Sequence, residues 1–394
     1  MISSSQLYKY AQLLVGFGLN AGKGPQSGQT ICITLQDSAK DFLPYLIKSV
    51  YEYDCYPLVH YIPSSLSSLI CEYANETQIA HILHTRNQGI VDQSDHWIDI
   101  ISPADPLAMQ HLDGKKVGLY DVVESDLMMK MFEKENRGQL SWTEGLFATE
   151  GLVRVVGMTL DEYREQIINA CFLDAENPIQ KNRDIIMQIE EFRDKLNSLD
   201  IIDVHMQGPD CDLYIHIGDQ RKWMTGGYKN IPSFEIFTSP DRRGTNGWIR
   251  FTQPLYVTGK RVSDIFLRFE NGVVVEYNAS ENKEFFGALL ATKGGSMIGE
   301  FSMTDTRFSR INKPMAVTLY DENMGGPYGN SHIAIGNAYL DTFVGEIYDG
   351  VQEEFGFNSS DIHYDLIITT QRTITATTKS GAKMCIYSDG KFVV

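Results

Sequence analysis

The sequence predicts an α/β N-terminal domain over residues 1–200, then an α+β C-terminal domain with largely antiparallel sheet over 201–394. Three observations carry this. β-branched runs alternate with amphipathic stretches in the first part, the texture of strand–helix–strand crossovers. After Ile201 short alternating runs and hairpin turns dominate instead. A chain of 394 residues also suits two cores of ordinary size better than one.

In the first part, 5–18 reads as an amphipathic helix with Leu7, Ala11, Leu14 and Val15 on one stripe, N-capped within Ser3-Ser4-Ser5. A turn at Gly22-Lys-Gly24-Pro25 leads to a buried strand over 29–35. A helix follows over 37–53, kinked at Pro44, then a strand at 57–61. A further helix spans 64–86, a strand 97–102, and the next element begins near Val117. Gly22, Gly24 and Gly28 have the wrong spacing for a dinucleotide loop and precede a strand instead of following one. His81 and His84, lacking a carboxylate partner motif, read as surface residues.

Thr159 with Glu162 forms a capping box that opens a helix. A long helix over 181–198 turns Ile185, Ile186, Ile189 and Phe192 inward, and the domain boundary is expected between about 175 and 205. Strands are expected at 212–217, 248–251, 273–277, 315–319 and 365–370, and helices at 281–293 and 331–343. Glu270-Asn-Gly272 and Ser388-Asp-Gly390 read as hairpin turns.

Composition bounds the function. At 43% hydrophobic and 22% charged, this is a folded chain without a low-complexity tract. A net charge of −17 argues against nucleic acid or an anionic membrane as partner, since both want clustered Lys and Arg. A carboxylate-rich surface mildly attracts a free ammonium. The six cysteines are scattered without CxxC spacing and read as buried, reduced thiols. There is no cationic lead with an apolar core at the N-terminus, and no run of ~20 apolar residues to span a membrane. The cytoplasm is the expected compartment.

The chemistry concentrates between Glu300 and Asp365. Gly299-Glu300, Asp321-Glu322-Asn323, His332-Ile-Ala-Ile-Gly-Asn-Ala-Tyr339 and His363-Tyr364-Asp365 lie here, and Glu235 precedes them in Asn230-Ile-Pro-Ser-Phe-Glu235. Carboxylates and imidazoles suit Zn²⁺, Co²⁺ or Mn²⁺. On a helix over 332–343, His332 and Tyr339 share a face; on a strand over 361–368, His363 and Asp365 project to one side. A helix face and a strand face would then converge with two glutamates. Glu322 reads either as a carboxylate orienting an imidazole or as a loop acid.

These motifs together resemble the thermophilic metalloprotease family of metallo-aminopeptidases. The likeness is carried by Asn230-Ile-Pro-Ser-x-Glu235-x-Phe-Thr-Ser-Pro240, Gly299-Glu300, Asp321-Glu-Asn323, Ser331-His332-Ile-Ala-Ile-Gly336-x-Ala-Tyr339 and Asn358-x-Ser-x-x-His363-x-Asp365. It extends to the N-terminal Tyr10-Ala-x-Leu-Leu-Val-x-x-Gly-Leu-Asn20, so it covers the chain. The resemblance implies an N-terminal α/β domain, a C-terminal catalytic domain and a homodimer. It implies a binuclear site of Glu235, Glu300, His332, His363 and Asp365, with Tyr339 as the active-site tyrosine and peptides with a free N-terminus as substrates. Glu300, with Glu322 as the alternative, is expected to move the proton. The loop 324–330 looks longer and richer in glycine than is usual in the family. A metal-dependent amidase or deacetylase, or a catalytically silent binding protein, are the competing readings.

Overall fold

The computed structural model describes residues 2–81, 84–257 and 259–394. The chain divides into two compact units: Met1–Arg183 with Tyr228–Pro232 and Thr258–Lys260, and Asp184–Gly227 with Ser233–Val257 and Arg261–Val394.

The first unit is built on a parallel sheet of β1 (Thr30–Gln36), β2 (Tyr56–Ile62), β3 (His96–Ile101), β4 (Ser141–Leu146) and the short β8 (Asn230–Ile231), in the order β2-β1-β3-β4-β8. Its helices are α1 (Ser4–Leu13), α2 (Leu43–Glu52), α3 (Leu66–Tyr73), α4 (Glu76–His81), α5 (His84–Gln93), α6 (Gly114–Asn136), α7 (Glu150–Val156) and α8 (Leu160–Ala170). The division between the units falls inside α9 (Pro178–Asn197).

The expected elements are found with local differences. Ser3 caps α1 and Thr159 caps α8, each through a capping box. Pro44 lies in the first turn of α2 and so opens that helix instead of kinking it. The single helix expected over 64–86 is broken. Asn75 and Gln78 exchange side-chain and backbone hydrogen bonds, a cap that ends α3 and starts α4. Residues 82 and 83 lie outside the described part, as does the side chain of His84; His81 is exposed as expected. At the sheet edge, Tyr56 N–H bonds inward to Gln29 O, so Pro57 takes the outward position, where its missing N–H costs no ladder bond.

One face of this sheet is layered. Leu58, Cys32, Trp97 and Trp142 form a cross-strand row, and Val91 of α5 with Leu127 and Met131 of α6 packs on it. Two residues further along the strands, the row is polar: His60, Thr34, Asp99 and Glu144. Asp99 and Glu144 are directly opposed like charges, an unfavourable pairing. Burial pushes Asp99 up to about 6, and burial together with Asp99 pushes Glu144 up to about 8.

The second unit is antiparallel. An eight-stranded sheet runs β14-β13-β10-β6-β5-β18-β19-β20, from β5 (Ile201–Gly208), β6 (Cys211–His216), β10 (Asn246–Arg250), β13 (Phe266–Glu270), β14 (Val273–Asn278), β18 (Thr373–Thr378), β19 (Lys383–Ser388) and β20 (Lys391–Phe392). A five-stranded sheet runs β17-β16-β15-β9-β7, from β7 (Met224–Thr225), β9 (Glu235–Thr238), β15 (Ile298–Thr304), β16 (Asn330–Gly336) and β17 (His363–Ile368). Shorter elements are β11 (Leu255–Val257), β12 (Lys260–Val262), α10 (Lys283–Leu290), α11 (Thr318–Asp321) and α12 (Val351–Glu354). Both expected hairpin turns form, with Asn271-Gly272 and Asp389-Gly390 all at positive φ.

Three expectations fail here. Residues 331–343 begin as strand β16 instead of a helix. Ile333 and Ile335 alternate with His332 and Ala334, and this two-residue period outweighs the seven-residue spacing of His332 and Tyr339. The strand expected at 315–319 is a turn entering α11, because the Asp321 carboxylate accepts from Met315 N–H at 2.6 Å and Ala316 sits at φ 55°. Cys385 is exposed, while the other five thiols are buried as expected. Its place on β19 has burial pattern eieBBi, so Ile386 and Tyr387 carry the inward contacts there.

The Asp99–Glu144 pair makes the first unit sensitive to pH. An acid whose folded pKa is raised binds a proton that the unfolded chain has lost, so its contribution declines as pH rises from 4.5 toward about 8. Replacing Glu144 with Gln removes that penalty. The rise in Tm over wild type should be small at pH 5 and reach a few degrees at pH 9. A Tm difference that does not change with pH would contradict this placement of the pair.

Candidate metal centre

Strand alternation puts five ionisable side chains on one face of the five-stranded sheet. Directly opposed residues of an antiparallel pair share a face, as do residues two apart on a strand. Glu235 of β9 lies opposite Thr304 of β15, which lies opposite Asn330 of β16. The next row is Phe237, Ser302, His332 and Ile367, and after it come Glu300, Ala334 and Asp365. His363 follows Asp365 on the same side, opposite Gly336. Glu235, Glu300, His332, His363 and Asp365 therefore point the same way. The structure brings all five together.

Their separations are short. His332 Nε2 lies 3.4 Å from Glu235 Oε2, 3.6 Å from Glu300 Oε1 and 3.8 Å from Asp365 Oδ1. His363 Nε2 lies 3.2 Å from Glu300 Oε2 and 3.5 Å from Asp365 Oδ1. Among the described residues, two groups have ligand atoms within 4.8 Å of one another: Glu235, Glu300 and His332, and Glu300, His363 and Asp365. Glu300 belongs to both, with one oxygen toward each imidazole.

Small residues make this approach possible. Ala334 separates Glu300 from Asp365 in the cross-strand row, and its methyl group leaves the space that a larger side chain would fill. At Gly299, next to the bulge where the β15–β16 register shifts, a Cβ would collide with the carbonyl oxygens of Gly336 and Asn337. At Gly226, a Cβ would press on Ser233 Oγ and Glu235 Oε1.

Hydrogen bonds aim the donors. His363 Nδ1–H donates to Asn337 O at 2.8 Å, which fixes its tautomer and turns the Nε2 lone pair toward Glu300 and Asp365. Ser302 Oγ donates to Glu235 Oε2 at 2.9 Å. Ser302 was not among the expected site residues, although its place two after Glu300 on a strand puts it on the same face. The carbonyl of Asn337 carries no side-chain signal that a sequence displays.

The electrostatics call for a cation. His332 is 1% exposed, Glu235 and Glu300 are buried, and Asp365 and His363 are half-buried. Burial works to neutralise each group, and the four other than Glu235 hold one another charged against it. Burial lifts Glu235 to about 7 against the pull of His332. Burial also works upward on Glu300 and Asp365, but the two imidazoles outweigh it and keep both below the usual carboxylate range. His332 rises to about 9 despite burial, through Glu300, Asp365 and Glu235, and His363 rises well above its ordinary value. Protons on the imidazoles and divalent cations are thus alternative ways to balance three carboxylates. The donor set, three carboxylates and two imidazoles in two groups that share Glu300, suits a divalent cation.

Tyr339 reaches this cluster by another route than the expected helix. It follows β16, where Gly336 at φ 106° ends the strand, and its N–H donates to Ser239 Oγ at 2.9 Å. Its ring lies 4.7 Å from that of His363 and 5.7 Å from that of Phe237. Tyr339 is 41% exposed as a whole, but the protein packed around its ring desolvates the phenol. This, then the charges of Glu300, Asp365, Glu322 and Glu235, push it well above 10. Glu322 is buried outside both ligand groups, and Asn323 Nδ2 donates to its Oε1 at 3.2 Å. The loop 324–330 is closed by Asn330 Nδ2, which donates to Glu322 O and Met324 O.

The chain is similar to known proteins over nearly its whole length. A family model described as thermophilic metalloprotease (M29) matches residues 3–392. Aminopeptidase T of Thermus thermophilus is 26% identical over 421 residues, covering 98% of this chain and 98% of that protein. Aminopeptidase AmpS of Bacillus subtilis is 25% identical over 414 residues, covering 99% and 98%. The solved structure of wild-type AmpT from Thermus thermophilus matches with a TM-score of 0.87 at 26% identity, over 99% of each chain. With a match that spans nearly its whole length, the chain belongs to the thermophilic metalloprotease family.

Proposed function

We propose that this chain is a metal-dependent aminopeptidase, a peptide-bond hydrolase that holds two divalent ions and removes residues from peptides with a free N-terminus. The observation that carries the two-ion reading is the pair of donor groups sharing Glu300 on one sheet face. Glu235, Glu300 and His332 would hold one ion, and Glu300, His363 and Asp365 the other. Zn²⁺, Co²⁺ and Mn²⁺ suit such a set of carboxylates and imidazoles. When bound, two such ions supply Lewis acidity and lower the pKa of water toward neutrality.

The chain's own groups do the rest. The Tyr339 phenol, raised well above 10, keeps its proton at neutral pH and can donate a hydrogen bond to the oxyanion that develops on the scissile carbonyl. The two Glu300 oxygens each face an imidazole, so Glu300 serves as a ligand in this proposal. Proton transfer from water to the leaving amine then falls to Glu322, a buried carboxylate whose charge reaches the Tyr339 hydroxyl. A free N-terminal amine is the group by which the substrate is held at this site, which limits cleavage to the first peptide bond. The homodimer and the cytoplasm belong to the same proposal. Six free thiols support a reducing compartment, and no helix among the described residues is long and apolar enough to cross a membrane.

Two experiments test this reading. A peptide and its N-acetylated form should differ greatly in turnover, by several kcal/mol in transition-state binding, because acetylation removes the free amine by which the substrate is held and leaves its polar site unpaired. Equal turnover would favour an amidase. Tyr339→Phe keeps the ring and its packing, so metal content and KM should hold while kcat falls on the order of 10²–10³. A Tyr339→Phe protein with normal kcat would leave Tyr339 as a packing residue beside His363.

A further inference from the structure

We infer that Asn323 is a positioning residue, whose side-chain amide aims the Glu322 carboxylate and ties it to the chain entering β9 at Glu235; this rests on the proton-transfer role proposed for Glu322. Asn323 is fully buried. Its Oδ1 accepts from Phe234 N–H at 2.6 Å, immediately before Glu235. Its Nδ2 donates to Leu319 O at 3.0 Å and to Glu322 Oε1 at 3.2 Å. The amide cannot be turned over. Its NH₂ would then face the Phe234 N–H, donor against donor, so the Phe234 bond forces the NH₂ toward Glu322.

The backbone of Glu322 is held from the same side. Its carbonyl accepts from Asn330 Nδ2 at 2.7 Å and from Thr304 Oγ1 at 3.4 Å. Asn330 and Thr304 form one cross-strand row with Glu235, on the face that carries the five donors. Main chain and side chain of Glu322 are thus fixed to the sheet face independently, and Asn323 supplies the side-chain half. The residue type follows from these partners. Aspartate would keep the acceptor for Phe234 N–H but place a second carboxylate against Glu322. Leucine would leave that N–H without its acceptor.

Asn323→Asp, Glu322→Gln and the double variant test this, each assayed for Tm, metal content, the Co²⁺ absorption spectrum, kcat and KM. Asn323→Asp should keep metal content, spectrum and KM near wild type while kcat falls on the order of 10². In the Glu322→Gln background the same change should cost kcat almost nothing further, because a residue acting through Glu322 has nothing left to aim. An equal kcat loss in both backgrounds, or a loss of metal or of the Co²⁺ spectrum, would overturn the inference in favour of a purely structural role. Normal kcat in Asn323→Asp alongside a crippled Glu322→Gln would overturn it while leaving the role of Glu322 intact. Normal kcat in Glu322→Gln would remove the proton-transfer reading on which it rests.

Discussion

Three carboxylates and two imidazoles crowd one largely buried sheet face, and the surrounding structure is arranged to hold them there. Carboxylates so enclosed repel one another and lose their hydration, and neither cost is met by apolar packing. Positive charge must come from within the cluster or from a bound cation. The raised His332 and His363, beside the lowered Glu300 and Asp365, show the cluster balancing itself with protons. Divalent ions would take the place of those protons among the same donors.

Rigidity comes from the sheet. All seven residues of β15 and of β16 are buried, so each strand is packed on both faces. Phe301, Met303, Ile333 and Ile335 fill one face, which frees the other to be polar. Around this polar face, small residues set the spacing and hydrogen bonds set the aim. Ala334 and Gly299 make room, while Ser302, the Asn337 carbonyl and Asn323 fix individual carboxylates and an imidazole. Tyr339 then joins from a loop, held by its own N–H to Ser239 and by ring contacts with His363 and Phe237.

Much of this was legible in the sequence, and the reasons differ by element. The parallel order of β1 and β2, the capping box at Thr159 and the turn at Asn271-Gly272 follow from local rules and are found as expected. The five candidate donors could be named because their motifs together resemble one family, and the model of that family matches residues 3–392; His363 with Asp365 shares a strand face as expected. The conformation between them was less legible. A spacing of seven between His332 and Tyr339 fits a helix, yet the alternating isoleucines needed a partner sheet before their strand period could prevail. The turn at Ala316 depends on the Asp321 carboxylate, a contact that β-propensity over 315–319 does not contain. Asn323 was visible in its motif but silent about its role, because its partners Phe234 and Glu322 meet only in the fold.

The proposal that one sheet face holds two cations through five donors, with Glu300 common to both, is open to direct observation. A crystal structure of the Co²⁺- or Zn²⁺-loaded protein, with anomalous differences measured at the metal edge, tests it most directly. Two anomalous peaks are expected, one among Glu235, Glu300 and His332 and one among Glu300, His363 and Asp365. A single peak after full loading, or peaks that leave Glu300 outside both coordination shells, would contradict it.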